Sequence, residues 1–384
     1  MTDLNIIGAC VYDTPSRSFI KKDFYVRNGC FSDEDDRPSD TIDLSGSYVI
    51  PGLIDVHTHG RAGYDFNKYK EIDCRAMLGS YASVGTTSVM ATLASDSFES
   101  LAGSVDFLTG MTGFHPFARI IGIHLEGRYL NPNKRGAHSV EYLSLPDNDE
   151  FDILFYNARG FPFHISLAPE LQGGMELIRH AVMKGATAGI AHSDADDETA
   201  REALKCGAGS FTHLFNAMRP LHHRDPGNTC VGLVTDAYAE LICDGIHIHP
   251  DMVLLAYRAK GADRIVLITD SMAAAGCPDG EYEIAGLEVT VRDGRALTHE
   301  GALAGSLLNL FDGLVNFCMF TGSDLSESLV CATKNPAEMV GVYNRVGSIE
   351  NGKLADFIVI DGIDASRDKR PSVTGVYIGG DKIR

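Results

Sequence analysis

Short apolar runs alternate with longer segments rich in alanine, leucine, methionine and charge through the middle of the chain. This alternation is typical of βα units on a parallel sheet. Eight such runs follow Pro51, and they span residues 53–57, 87–93, 119–125, 163–167, 188–192, 210–214, 239–243 and 264–269. Because eight strands close a TIM barrel, the pattern predicts an α/β fold with such a barrel over residues 51–343.

The two ends of the chain have a different pattern. Residues 5–49 alternate in short runs between turn-forming residues, which predicts several antiparallel strands. Residues 323–341 follow a helical period, with a break expected at Pro336, and strand-like runs return beyond them. We therefore expect strands from both ends to pair into one small β domain, formed by residues 1–50 and 344–384.

The composition is that of an ordinary globular protein, with 44% hydrophobic and 22% charged residues among 384. No apolar run approaches the roughly 18 residues that span a bilayer, and the first ten residues lack a secretory pattern. A net charge of -19 argues against nucleic acid and anionic membranes as partners. Nine scattered cysteines without a CxxC pair argue against disulfides and a cysteine zinc site. We expect a cytoplasmic protein.

Histidines and carboxylates gather at the carboxyl ends of the predicted strands, where barrel enzymes assemble their sites. His57-Thr-His59 ends the first strand, and side chains two residues apart on a strand share a face, so both imidazoles can reach one ion. Taken alone, this pair fits an exposed strand end equally well. Later strand ends add Glu126, His192, His213, Asp244, His247 and Asp270. Such a set suits zinc or another first-row divalent ion.

The chemistry of these residues suggests their roles. Three of them form the ligand set of a catalytic site: Glu126, His192 and His213. His57 and His59 would bind a second ion that shares Glu126. A bound ion lowers the pKa of its water toward about 7, and Asp270 is the candidate that takes the proton from that water. The structural alternative for Asp270 is capping of the helix that follows.

Three further residues each allow two interpretations. Arg224 lies beside His222 and His223 in a loop that fits either a phosphate clamp or a solvated surface. His138 either polarises a substrate carbonyl or forms a hydrogen bond within its own loop. Asn216 is either a substrate donor or a turn residue.

The sequence also resembles a known family. Asp55-Val-His57-Thr-His59 is similar to the entry motif of the amidohydrolase superfamily. More narrowly, the chain resembles the N-acetylglucosamine-6-phosphate deacetylases in His124-Leu-Glu-Gly127, Gly136-Ala-His138, Gly189-Ile-Ala-His-Ser-Asp194, Thr212-His-Leu-Phe-Asn-Ala-Met218, Asp244-Gly-Ile-His247, Thr269-Asp270 and Leu303-Ala-Gly-Ser306. These motifs occur in the same order as in that family.

This resemblance implies a distorted TIM barrel with a small β-sandwich, and a homodimer in which Arg224 reaches the site of the neighbouring subunit. It implies catalysis by Asp270, which is also expected among the metal ligands, and one or two divalent ions per subunit. It also implies that Arg224 and His247 bind the sugar phosphate, and we expect His138 to take part in catalysis by stabilising the oxyanion. The implied substrate contacts are Ala137, His138, Asn216, Ala217, Arg224, Asp244, His247, Leu303, Ala304 and Gly305. Zinc is the first expectation for the metal, with iron or another first-row metal as alternatives.

The sequence therefore predicts hydrolysis of the acetamide of N-acetylglucosamine 6-phosphate, in amino-sugar catabolism or cell-wall recycling. The alternatives are another amidohydrolase, acting on a cyclic amide or an aminopurine, and a non-catalytic barrel. Two features depart from the family pattern. The entry histidines are both present, which allows two ions, and Arg128-Tyr129 stands where an apolar pair is usual.

Overall fold

Eight parallel strands form the central sheet, each hydrogen-bonded to the next in chain order. They are β1 (Leu53–Thr58), β2 (Thr86–Ala94), β3 (Arg119–Glu126), β4 (Phe163–Leu167), β5 (Thr187–Ile190), β6 (Ser210–Phe211), β7 (Tyr238–Ile242) and β8 (Ile265–Ile268). The computed structural model describes residues 3–34, 40–70, 73–111, 117–284, 286–366 and 369–384. Strand β2 is buried at all nine positions, as expected for a strand covered on both faces.

The barrel closes between β8 and β1 through backbone hydrogen bonds of the residues that follow β8. The backbone N–H of Asp270 donates to the carbonyl oxygen of His57 at 2.9 Å, and the N–H of His59 donates to Ser271 at 2.8 Å. Thr58 and Ser271 form an isolated parallel bridge. The closing seam therefore places the two entry histidines beside the end of the last strand, and the expected distorted TIM barrel is confirmed.

One helix follows each barrel strand, and most of them begin at a polar capping residue. They are α1 (Cys74–Ser83), α2 (Phe98–Gly110), α3 (Asn148–Asn157), α4 (Gly174–Lys184), α5 (Asp197–Cys206), α6 (Gly227–Val234), α7 (Pro250–Lys260) and α8 (Leu310–Thr321). Asp73, for example, accepts the backbone N–H groups of Arg75 and Ala76, which satisfies two donors of the first turn of α1. No helix in the described ranges combines the length and the apolar character needed to cross a membrane.

Strands from both chain ends form two further sheets. The first contains six strands, in the order Asp381–Lys382, Val373–Ile378, Phe357–Ile360, Tyr48–Pro51, Cys10–Asp13 and Ser18–Lys21. The second contains four, in the order Cys30–Ser32, Phe24–Arg27, Leu4–Ile7 and Asp40–Asp43. Aromatic residues pack between the two sheets, and Phe24 meets Phe357 edge-on with ring centroids 5.3 Å apart. This arrangement is the small β-sandwich that the resemblance implied.

Two details of the predicted elements were wrong. The helical segment near residue 330 does not break at Pro336, because the proline lies in the first turn of the helix Lys334–Met339, where no intrahelical N–H is required. The preceding pieces are Leu325–Ser328 and a 3-10 turn, Leu329–Ala332. The sixth barrel strand ends at Phe211 rather than at residue 214, since the chain turns immediately afterwards.

A small antiparallel sheet follows the last barrel strand. It consists of Gly280–Ile284, Leu287–Arg292 and Arg295–Thr298. The segment after it is fastened to the barrel, because the N–H of Ser306 donates to the carbonyl oxygen of Asp270 at 2.7 Å. This sheet therefore lies next to the carboxyl ends of the barrel strands, where Ile284 reaches a central cavity.

Candidate active site

A cavity of about 370 Å³ opens at the carboxyl ends of the barrel strands. Most of the residues singled out in the sequence line it: His59, Glu126, Ala137, His138, His192, His213, Asn216, Ala217, His247, Asp270, Leu303 and Gly305. His57 is fully buried directly behind this wall, within 3.5 Å of Asp270. The residues gathered at the strand ends thus form one continuous site.

Glu126 is the centre of this site, because each of its carboxylate oxygens faces a different pair of histidines. Oε1 lies 2.8 Å from Nε2 of His213 and 3.4 Å from Nε2 of His192. Oε2 lies 3.0 Å from Nε2 of His59 and 3.3 Å from Nε2 of His57. A carboxylate in this position can serve two neighbouring ions at once.

Two groups of potential ligand atoms therefore meet at the cavity floor. The first is Glu126, His192 and His213, and the second is His57, His59 and Asp270; all six residues are buried. The first group is the ligand set derived from the sequence. The second contains both entry histidines and adds Asp270, whose Oδ1 lies 3.3 Å from Nε2 of His59.

The hydrogen bonds behind the histidines suit metal ligation. Nδ1 of His192 donates to the carbonyl oxygen of Lys134 at 2.7 Å, and Nδ1 of His57 faces the Glu240 carboxylate at 3.1 Å. Each bond places the proton on Nδ1 and leaves the Nε2 lone pair directed at the cavity floor. Nε2 of His57 is buried without a hydrogen-bond partner among the described residues, which an ion in the second group would satisfy.

Backbone strain is concentrated in the same residues. His192, His213 and Asp270 have φ values of 44°, 34° and 50°, in the left-handed region that side-chain-bearing residues seldom adopt. Such conformations cost free energy and are retained where the surrounding structure fixes a functional side chain. Each of these residues lies two positions after the end of a barrel strand, so the turn directs its side chain across the cavity floor.

The charges of the site are strongly coupled. Burial raises the pKa of the Glu126 carboxyl, but the facing histidines, His57 first, outweigh it and hold that pKa well below its usual range. Asp270 behaves in the same way, and its pKa falls to about 2. Burial lowers the pKa of His59, but Asp270 and Glu126 reverse this and raise it to about 9. Both carboxylates are therefore ionised at neutral pH.

His138 provides a neutral hydrogen-bond donor at the cavity wall. Burial, followed by the nearby His192, lowers its pKa to about 3, so the imidazole is uncharged at neutral pH. The backbone N–H of Ser95 donates to its Nδ1 at 3.2 Å, which places the ring proton on Nε2. Nε2 lies 3.8 Å from Oε2 of Glu126, at the edge of the ligand groups.

His247 stands on another wall of the cavity, where a carboxylate contacts its imidazole. Its Nδ1 lies 2.7 Å from Oδ2 of Asp244, while Oδ1 of Asp244 accepts the backbone N–H groups of Ile246 and His247 at 2.8 Å. Burial lowers the pKa of His247, but the hydrogen bond to Asp244 outweighs it and raises the pKa above its usual value. The cavity thus contains a buried imidazole that favours its charged form.

Three of the residues expected to contact substrate do not line the cavity. Asp244 stands behind His247 and orients it. Ala304 is completely buried, and its N–H donates to the carbonyl oxygen of Ala296. Arg224 is exposed on a loop, where its guanidinium contacts His223. Asn216 lines the cavity and is also a turn residue, since its side chain donates to the carbonyl oxygen of His213 at 3.1 Å.

Arg128 departs from the family pattern, but it does not line the cavity. Its guanidinium forms two hydrogen bonds to the Glu150 carboxylate, at 3.1 and 2.9 Å. A third bond, of 3.2 Å, goes to the carbonyl oxygen of Asp96. The arginine therefore fastens helix α3 to the barrel rather than adding a charge to the site.

Sequence reasoning missed several supporting residues, of which Glu240, Ser95 and Lys134 are the clearest. Glu240 is fully buried in an apolar strand, and a charged residue within such a run is the signal that identifies it. No comparable signal marks the other two, because Lys134 supports the site through its backbone carbonyl and Ser95 through its backbone N–H and its hydroxyl. Such contacts depend on the path of the chain that brings these residues to the site.

The comparisons with known proteins agree with this architecture. A profile of the Amidohydrolase family matches residues 48–383, so the chain belongs to this family. Within it, an N-acetylglucosamine-6-phosphate deacetylase of Bacillus subtilis (strain 168) is 36% identical over 86% of this chain and 83% of its own. An N-acetylgalactosamine-6-phosphate deacetylase of Escherichia coli O157:H7 is 34% identical over 84% of this chain and 86% of its own.

A solved structure shares the complete fold. It is an aspartate-to-alanine variant of N-acetyl-D-glucosamine-6-phosphate deacetylase from Mycobacterium smegmatis, in complex with N-acetyl-D-glucosamine-6-phosphate. It superposes with a TM-score of 0.88 at 27% identity, and the match covers 100% of this chain and 99% of the other. The barrel and the terminal sheets are therefore common to both proteins.

Proposed function

We propose that this protein hydrolyses the acetamide of N-acetylglucosamine 6-phosphate, yielding glucosamine 6-phosphate and acetate. The observation that carries this proposal is the composition of one cavity. It combines the Glu126-centred ligand groups with a neutral donor, His138, and a cation-favouring imidazole, His247. These features match the three parts of the substrate, namely an amide to be cleaved, its carbonyl oxygen and a phosphate.

Glu126, His192 and His213 would hold a divalent ion in this proposal. When bound, such an ion would polarise the amide carbonyl and lower the pKa of water toward about 7. Asp270 is ionised and lies at the cavity floor, so its carboxylate accepts a proton from the attacking water. The same carboxylate then returns that proton to the departing nitrogen, so that the sugar leaves as an amine.

His138 stabilises the charge that develops on the carbonyl oxygen. Ser95 fixes the tautomer, so Nε2–H faces the cavity with a donor already in place. Because the ring is neutral, it adds no competing positive charge that would repel the ion. Donors fixed in advance at a developing oxyanion are a large contribution to catalysis of acyl transfer.

His247 binds the phosphate in this proposal, and Asp244 orients its imidazole and raises its pKa. Arg224 contributes a second phosphate contact from the partner subunit of a homodimer, which agrees with its exposed position in a single chain.

We further propose zinc as the resident metal and a cytoplasmic location. We also propose a division into a barrel of residues 51–343 and a β-sandwich of residues 1–50 and 344–384. The nitrogen and oxygen donors of both ligand groups are those that zinc accepts.

A second candidate substrate is N-acetylgalactosamine 6-phosphate, because the E. coli relative bears that name. The two sugars differ only in the configuration at C4, remote from the amide, so the same chemistry serves both. The proposed preference for the gluco epimer follows the B. subtilis relative.

Acetate release from a panel of substrates tests the proposal. The purified protein is incubated with the 6-phosphates of N-acetylglucosamine and N-acetylgalactosamine, with unphosphorylated N-acetylglucosamine, and with a cyclic amide. We expect the highest kcat/KM for N-acetylglucosamine 6-phosphate and no acetate from the Asp270→Asn variant. Turnover of the cyclic amide alone, or full activity of Asp270→Asn, would refute the proposal.

A further inference from the structure

Glu240 is a completely buried carboxylate in the middle of strand β7. Its neighbours along the strand are apolar, and it does not line the cavity. Burial of a charged group is costly unless the group is paired and hydrogen-bonded. The described residues give Oε1 no hydrogen-bond partner, so packing and folding alone do not explain why a carboxylate stands here.

The other oxygen of Glu240 contacts both ligand groups. Oε2 lies 3.1 Å from Nδ1 of His57, which belongs to the second group. It also accepts the backbone N–H of His213, in the first group, at 3.2 Å. One buried atom therefore connects a side chain of one group with the backbone of the other.

Each contact has a consequence for metal ligation. A carboxylate accepts hydrogen bonds only, so Nδ1 of His57 carries the proton and Nε2 presents its lone pair to the cavity floor. The bond to His213 helps to hold that residue at a φ of 34°, the strained conformation that directs its imidazole to Glu126. Without Glu240, Nδ1 of His57 would lose the acceptor that fixes the position of its proton.

We propose that Glu240 is a positioning residue that prepares both ligand groups for metal, and that it acts mainly on the ion held by His57, His59 and Asp270. This inference rests on the proposed metal-dependent function. Its test uses metal binding, which is measured independently of substrate turnover. Partners of this kind behind a ligating histidine typically change metal affinity about 10–100-fold when they are removed.

Two substitutions separate positioning from a general structural role. Glu240→Ala removes the acceptor, whereas Glu240→Gln keeps an oxygen that can accept both hydrogen bonds and places its amide where Oε1 has no partner. The matched control is Ser88→Ala, which alters a buried barrel position whose hydroxyl also has no partner among the described residues. The control therefore changes a buried polar group without touching a ligand.

The experiment measures zinc affinity by competition with a chromophoric chelator, the number of ions per subunit, and the visible spectrum of the cobalt-loaded protein. We expect Glu240→Ala to bind one ion about 10–100-fold more weakly and to change the cobalt spectrum. Glu240→Gln should lie between Ala and wild type, because the hydrogen bonds remain but the charge that makes His57 more basic is lost. Ser88→Ala should match wild type.

The melting temperature of the metal-free proteins completes the test. A merely structural role would lower that temperature in Glu240→Ala and leave zinc affinity and the cobalt spectrum unchanged, and this result would overturn the inference. If the Ala variant does not fold, Glu240→Gln decides, and an affinity equal to wild type overturns it. Wild-type protein that binds zinc but releases no acetate would refute the proposed function and leave the role of Glu240 standing.

Discussion

The backbone N–H of Ser95 donates a hydrogen bond of 3.2 Å to Nδ1 of His138, and so decides which nitrogen of this imidazole faces the cavity. The hydroxyl oxygen of Ser95 lies 2.9 Å from the same nitrogen. Because the pKa of His138 falls to about 3 through burial, the ring stays neutral and its single proton is on Nε2. A backbone contact thus prepares the oxyanion donor before substrate arrives.

Replacement of His138 by Asn tests this donor. Removal of one oxyanion donor typically lowers kcat about 10²–10³-fold, and we expect that range here with little change in KM. Metal content should remain that of the wild type, because His138 belongs to neither ligand group. A kcat within threefold of wild type, or loss of metal from the variant, would contradict the proposed role.

Replacement of Asp244 by Asn tests the proposed phosphate site through the residue that orients His247. Asp244 does not line the cavity, but it orients His247 and favours its charged form. A hydrogen bond to a charged group contributes about 1.5–3 kcal/mol, so we expect KM for the 6-phosphate substrate to rise about 10–100-fold. The KM for unphosphorylated N-acetylglucosamine is the control and should hardly change. Equal losses for both substrates would show that Asp244 has no specific link to the phosphate.

Loading of the metal-free protein should release protons. Asp270 and Glu126 raise the pKa of His59 to about 9 against the opposing effect of burial, so this imidazole is protonated at pH 7. Only the neutral form binds a metal, so each ion displaces protons and its apparent affinity rises with pH until about pH 9. Calorimetric titration with zinc in two buffers of different ionisation enthalpy measures this release. Heats independent of the buffer would contradict the prediction.

Substitution of Gly189, inside the barrel, should lower the stability of the protein. A Cβ atom at Gly189 would lie 2.7 Å from Oγ of Ser210 and 2.8 Å from Oγ1 of Thr212. Overpacking of this kind costs about 1–3 kcal/mol, so Gly189→Ala should lower the melting temperature by several degrees. Gly209→Ala is the matched control, because a Cβ atom there meets nothing within 4 Å. Equal melting temperatures for the two variants would contradict this packing.

The sequence predicted the barrel and most of the cavity because both depend on local pattern. Apolar runs identified the strands, and the register of a strand fixed the shared face of His57 and His59. The boundaries were less certain where a functional residue breaks the strand. Strand β6 ends at Phe211 because His213 adopts a left-handed conformation that no propensity rule anticipates.

The remaining contacts depend on tertiary structure and could not be derived from spacing. Asp244 and Ala304 were expected to touch substrate, but one stands behind His247 and the other is buried against Ala296. Asp270 was expected as a base and as a metal ligand, and its grouping with both entry histidines appears only where the barrel closes. Such relations arise between residues far apart in the chain.

Acetate release and bound metal, measured in the same sample, test the proposed hydrolysis most directly. Metal-loaded protein should release acetate and glucosamine 6-phosphate from N-acetylglucosamine 6-phosphate in equal amounts. Removal of the metal by a chelator should abolish this release, and zinc should restore it, because the ligand group of Glu126, His192 and His213 is required. Undiminished acetate release by metal-free protein, or none by the fully loaded protein, would contradict the proposed function.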